Sequence, residues 1–152
     1  MANAYIGSHP SHKHTVVERI DGTKQLTRSD SGKLFMCYSA GSADYMVNLP
    51  SISTDIAGWH AKFLLADITG DEIQIGGFGV AVDQTGTDGE NDIILYLEVG
   101  GTENSDEGAD FVKFDVGGSG ATIGATIEIY SDGTKWYAIG YAPNAADIDP
   151  IG

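Results

Sequence analysis

A two-residue alternation of apolar and polar side chains constrains this chain more than any other feature. In the segment 92–99, Ile93, Leu95, Leu97 and Val99 fall on one face. In 111–116, Val112, Phe114 and Val116 alternate with Lys113 and Asp115, and in 125–130 Ile127 and Ile129 form the inward pair. The run Glu72-Ile73-Gln74-Ile75 repeats the pattern on a smaller scale. Successive side chains of a strand point to opposite faces, so this period predicts sheets with one face packed and the other wet, the habit of antiparallel sheets.

Short turn signals punctuate the runs. Asp21-Gly22 separates 15–20 from 23–27, and Ala40-Gly41-Ser42 separates 34–38 from 45–49. Thr69-Gly70-Asp71 separates 59–68 from 72–82, and Asp132-Gly133 separates 126–131 from 136–142. Asp-Gly supplies the backbone freedom that tight hairpins need. The reading is therefore about nine or ten strands, mostly joined as hairpins. The expected fold class is all-β: one antiparallel β-sandwich or flattened β-barrel at 15–142, between an extended N-terminal arm at 1–14 and a C-terminal tail at 143–152. Only 51–57, between Pro50 and Gly58, reads as a turn or two of helix. The acidic segments 83–91 and 100–109 and the glycine-rich 117–120 read as loops.

Composition narrows the function. A chain of 152 residues can bury a proper core without staples. Glycine, at 21 residues, is about twice its usual share, with no collagen period. A formal net charge of −14 argues against nucleic-acid backbones and anionic membranes, both of which ask for a basic footprint. The charge is uneven: residues 1–33 carry five bases and three acids, and the rest carries three bases and nineteen acids. Two readings follow: the acids keep the body soluble, or the basic stretch lies across an acidic surface of a neighbouring copy. The N-terminus lacks the pattern of a secretory signal, and no run approaches the ~18 apolar residues of a membrane span. Synthesis in a cytoplasm is the expectation.

Chemistry-bearing residues are few. Cys37 lies in the apolar run Leu34-Phe35-Met36-Cys37-Tyr38 and reads as a buried structural thiol. His9, His12 and His14 crowd together, but no acidic or thiol partner stands at zinc spacing. The acidic 83–92 has oxygen donors for calcium without the EF-hand pattern. Gly76-Gly77-Phe78-Gly79 lacks the lysine and helix of a phosphate loop and reads as strand glycines instead. Acids are plentiful, yet none sits in an apolar context that would mark a glycosidase acid. No enzyme and no cofactor are expected. The aromatic residues Trp59, Tyr130, Trp136, Tyr137 and Tyr141 admit three readings: core, subunit interface, or a platform for a sugar.

Several short motifs carry a resemblance. Asp30-Ser31-Gly32-Lys33-Leu34-Phe35, then Val47-Asn48-Leu49-Pro50, then Gly58-Trp59-His60-Ala61-Lys62-Phe63 resemble a module common in structural proteins of tailed phages. Ser131-Asp132-Gly133-Thr134-Lys135-Trp136-Tyr137 resembles the closing hairpin of such proteins, so the likeness spans roughly 28–142. It implies a non-enzymatic virion protein of the head decoration (cement) type, a homotrimer attached to the major capsid protein on the capsid surface. Its runner-up is a carbohydrate- or receptor-binding module of a tail fibre or spike. The family pattern carries no catalytic residues. Charge and aromatic placement nominate Arg19, Lys24 and Arg28 in the basic stretch, with Tyr137 and Tyr141 near the C-terminus, as assembly residues. Extended termini would clamp neighbours by strand addition.

Overall fold

A computed structural model describes residues 16–39, 44–67, 72–76, 93–99, 102–109, 111–116, 122–143 and 147–151. They are mostly strand, with no α-helix among them. The strands are β1 (Val17–Ile20), β2 (Lys24–Gln25), β3 (Leu34–Cys37), β4 (Tyr45–Asn48), β5 (His60–Leu65) and β6 (Ile73–Gly76). There follow β7 (Ile93–Val99), β8 (Thr102–Ala109), β9 (Phe111–Phe114), β10 (Thr126–Ser131), β11 (Trp136–Ala142) and β12 (Ile148–Ile151). They build a seven-stranded sheet, β1-β3-β5-β10-β11-β7-β8, and a five-stranded sheet, β12-β9-β6-β4-β2.

Both sheets are mixed and neither closes, which corrects the expectation of antiparallel strands and of a barrel. The chain from β1 to β6 alternates between the sheets: β1, β3 and β5 lie parallel in one, and β2, β4 and β6 lie parallel in the other. Asp21-Gly22 is therefore not a hairpin turn, because β1 and β2 belong to different sheets. The same correction applies to the turns after β3 and β5. Parallel neighbours need a crossover, and here the intervening strand of the opposite sheet provides it. A period of two orients side chains but does not say which strand lies beside which, so the alternation alone could not separate the two arrangements. Asp132-Gly133 does join a true hairpin, in which Ser131 pairs with Trp136 and Thr126 with Tyr141.

Two strands arise where no alternation announces them. The acidic segment read as a loop carries β8, Thr-Glu-Asn-Ser-Asp-Glu-Gly-Ala, which among the described residues is an edge strand paired with β7. The segment read as a tail carries β12, an edge strand on β9 that contains Pro150. Edge strands tolerate charge and proline because one side of their backbone stays unpaired, and both features blunt further pairing. The short helix shrinks to a single 3-10 turn at Thr54–Ile56, which buries Ile56 and ends before Gly58 at φ +84°.

One buried cluster takes side chains from both sheets: Phe35, Cys37, Phe63 and Leu65 from the seven-stranded sheet, and Val47, Ile73, Ile75 and Phe114 from the other. Phe35 and Phe63 are register partners whose rings stack at 5.3 Å. Trp59 and Trp136 meet edge to face at 5.3 Å, and the Trp59 indole N–H donates to the Thr27 carbonyl at 3.1 Å. Both tryptophans are core residues.

The β10–β11 hairpin is closed against the 3-10 turn. Gly133 has φ +91°, and a Cβ there would lie 3.1 Å from the Ala57 Cβ and 3.1 Å from the Thr54 Cα. Gly133→Ala is expected to cost about 1–3 kcal/mol through backbone strain and crowding. Gly22→Ala, with nothing within 4 Å of the new methyl, should stay within about 0.5 kcal/mol of the parent. Urea denaturation of both variants measures the contrast.

Candidate functional site

The outer face of the seven-stranded sheet is the candidate site, and β11 shows why. In Trp-Tyr-Ala-Ile-Gly-Tyr-Ala, Trp136, Ala138, Gly140 and Ala142 point inward and are buried, while Tyr137, Ile139 and Tyr141 point out. Small inward residues let the sheet pack closely over the core. The bulky ones are left on the solvent side, with Ile139 46% and Tyr141 56% exposed. The register extends this face across the sheet. Tyr130 stands between His60 and Tyr137, Glu128 between Lys62 and Ile139, and Thr126 between Leu64 and Tyr141. Ile94, Tyr96 and Glu98 of β7 occupy the positions beside Tyr137, Ile139 and Tyr141. At the other edge Val17 pairs with Leu34, and Arg19 with Met36.

Among the described residues, the exposed large apolar side chains are Val16, Val17, Ile123, Tyr130, Tyr137, Ile139 and Tyr141. The last four adjoin one another on β10 and β11. A contiguous apolar patch of this kind marks an interaction surface more often than solvated decoration.

Polar groups are fixed within the same face. Glu128 accepts from the Lys62 ammonium at 2.8 Å on one oxygen and from the Tyr130 hydroxyl at 2.5 Å on the other. These two hydrogen bonds, Lys62's first, outweigh partial burial and hold the Glu128 carboxyl below the usual range. The same bond raises the Tyr130 phenol. The His60 and Tyr130 rings lie within 18° of parallel, with centroids 6.3 Å apart. At the hairpin tip, Asp132 accepts from the Thr134 hydroxyl at 2.7 Å, from the Thr134 and Lys135 amides at 2.7 Å each, and from the Tyr137 hydroxyl at 3.0 Å. The Thr134 hydroxyl and the two amides hold this carboxyl far below the usual range, and the bond to Asp132 raises Tyr137. Tyr137 is thereby aimed along the sheet surface.

The nominated assembly residues separate into two groups. Tyr137 and Tyr141 stand together on the outer face, with Ile139 between them. The basic residues do not join them. Arg19, on β1, pairs with Asp21 at 3.2 Å and lies over the Tyr38 ring at 4.0 Å. Three strands intervene between β1 and β11, placing Arg19 about 19 Å away at ordinary strand spacing. Lys24, on β2 of the other sheet, pairs with Glu18 at 2.5 Å. Arg28, itself exposed, opens the 3-10 turn at Arg28–Asp30 and lines a shallow depression with Asp55 and Trp59. Ile139, Glu128, Lys62 and His60 escaped the sequence reading as site residues, and Tyr130 entered it only as one of five aromatic residues open to three readings. The small-large alternation of β11 was the one available signal, and it marks Ile139 as outward. Cys37 is fully buried, and burial pushes its thiol up to about 12, as suits a structural residue. His9, His12, His14 and the segments 83–91 and 117–120 lie outside the described residues.

The basic stretch does build a structural clasp. Glu18 on β1 takes Lys24 from β2 and Lys33 at 2.8 Å, and Lys33 also reaches the buried Asp30 at 2.5 Å. Asp30 in turn accepts from the Thr27 amide at 2.8 Å and its hydroxyl at 2.9 Å. Residues 17–33 thus tie an edge of one sheet to an edge of the other.

No protein-family model, curated protein or solved structure matches this chain.

The clasp has a pH signature. Hydrogen bonds from Lys24 and then Lys33 lower the Glu18 carboxyl; for Asp30, burial acts upward but Lys33 and Thr27 together prevail and lower it. A carboxyl with a depressed folded value contributes fully above about pH 5 and loses that contribution as the pH falls through the folded value. Glu18→Gln is expected to be roughly 1 kcal/mol less stable than the parent at pH 7 and to converge with it by about pH 2. Denaturant titrations across that range test this.

Proposed function

We propose that this protein is a non-enzymatic structural component of a tailed-phage virion, a decoration or cement protein of the head. In this reading the two sheets stack as a β-sandwich, 15–142 form one body, and the chain is made in the host cytoplasm. It then assembles, as a homotrimer, onto the major capsid protein. The observation that carries the proposal is the outer face of β10 and β11, where Tyr130, Tyr137, Ile139 and Tyr141 form an apolar patch on a rigid hydrogen-bonded sheet. Aromatic residues are enriched at such interfaces because they bury large area at small entropic cost.

The motifs behind the resemblance support the same reading by what they do in this fold. Ser31-Gly32 turns the chain into β3, Gly58 ends the 3-10 turn, and Asp132-Gly133 closes the β10–β11 hairpin. These are scaffold roles. A protein that covers a capsid needs stiffness, edges that resist stray pairing and a surface for its neighbours, and it needs no reacting group.

Of the five residues first nominated, Tyr137 and Tyr141 keep the central role. Lys24 is engaged in the clasp, so its replacement would confound attachment with stability. The test is occupancy on purified particles, read by cryo-microscopy and by a binding titration with capsids. Replacing Tyr137, Ile139 and Tyr141 together by Ser should leave a folded chain and weaken attachment at least about tenfold. Arg19→Ser with Arg28→Ser should change attachment mainly through its salt dependence. Undiminished occupancy of the triple variant would remove the outer face from assembly, and absence of the protein from purified virions would end the proposal.

A further inference from the structure

We propose that the depression on the outer face between β3, β5 and β10 is a binding site for a neutral pyranoside. The site goes beyond the capsid reading and does not depend on where in a particle the protein sits. It holds about 320 Å³ and is lined by Gly32, Lys33, His60, Lys62, Glu128 and Tyr130, at the lower end of the size of small-ligand sites.

Three features specify the ligand. The first is an apolar wall: the near-parallel His60 and Tyr130 rings offer flat aromatic surface of the kind that packs against the C–H face of a sugar ring. The second is unspent hydrogen-bonding capacity. Each Glu128 oxygen has one partner from the protein, from Lys62 or Tyr130, and keeps room for another donor. The His60 Nδ1 lies 3.1 Å from the Gly58 carbonyl, which can only accept, so the proton belongs on Nδ1. The other ring nitrogen, Nε2, lies on the side of Gly32, where a Cβ would stand 3.8 Å from it, and is left to meet a hydroxyl. Gly32 itself adopts φ +83° and leaves that space open. The third feature is charge balance. Lys62 is matched by Glu128, and Lys33 is held by Glu18 and Asp30. Each lysine and carboxylate lining the depression therefore already faces an opposite charge, and what Glu128 has to spare is hydrogen-bonding capacity, not unmatched charge. A hydroxyl-rich neutral molecule with one apolar face fits all three.

The experiment uses the isotopically labelled full chain and a panel of methyl glucoside, galactoside and mannoside, with a methyl glucuronide as the charged comparison. Each is added to about 10 mM, enough to occupy most of a site with millimolar Kd. Amide shifts in the nuclear magnetic resonance spectrum are expected at Gly32, His60 to Lys62 and Glu128 to Tyr130 with at least one neutral sugar, and more weakly with the glucuronide. Tyr130→Ala should lower the affinity about tenfold, and Glu128→Gln, which keeps shape and removes the charge, should lower it as well. Tyr141→Ala should leave it unchanged. No shift with any neutral sugar overturns the proposal. So does tighter binding of the charged sugar, or a response that moves to Ile139 and Tyr141 and disappears in Tyr141→Ala. Loss of capsid attachment with intact sugar binding, or the reverse, separates the failure of one proposal from the failure of the other.

Discussion

The buried cluster to which both sheets contribute is the constraint from which the rest of the molecule follows. Phe35, Phe63, Trp136, Phe114 and Ile75 are each withdrawn from water almost completely, and each such side chain contributes about 1.5–3 kcal/mol by burial. Because strand side chains alternate, filling this cluster decides what the opposite face of each contributing strand must carry. On β11 the inward positions are Ala138, Gly140 and Ala142 around Trp136, so Tyr137, Ile139 and Tyr141 have nowhere to go but outward. The exposed patch is thus the complement of a tightly packed interior.

That complement is what makes the outer face usable. A flat sheet holds its side chains at fixed spacing, and cross-strand neighbours restrain one another. Tyr130 is steadied by Glu128, and Tyr137 by Asp132. Neither tyrosine must lose much freedom on meeting a partner, so more of the contact energy remains for binding. The formal net charge of −14 adds repulsion between copies, which works against indiscriminate self-association through such a surface.

Much of the strand content was readable from alternation, and the β10–β11 hairpin was readable from Asp132-Gly133. The neighbours of the first six strands were not. Val17 pairs with Leu34 rather than with a residue across Asp21-Gly22, and nothing local distinguishes a turn that folds a strand back beside itself from one that carries it over to the other sheet. β8 and β12 were hidden because edge strands need not alternate. Tyr137 and Tyr141 were legible as surface aromatics. The group around Glu128 was not, since Lys62 and Tyr130 come from strands far apart in sequence and meet only through the register of β5 with β10. The basic stretch shows the opposite failure: its charges looked available, but Lys24 and Lys33 are spent holding two sheet edges together.

The alternation of β1 to β6 between the two sheets also sets a timetable. While the chain is being synthesised, β1 has no partner until β3 has emerged, and β2 has none until β4. β5 gains its second neighbour only with β10, near the end of the chain. Contacts so distant in sequence make for slow collapse, on the millisecond-to-second scale of β-rich topologies. A nascent fragment that stops short of β10 would still leave one edge of β5 unpaired and open to the strand of any other unfinished copy nearby. Prompt completion on the ribosome therefore matters more to this molecule than to one whose neighbours in space are also neighbours in sequence.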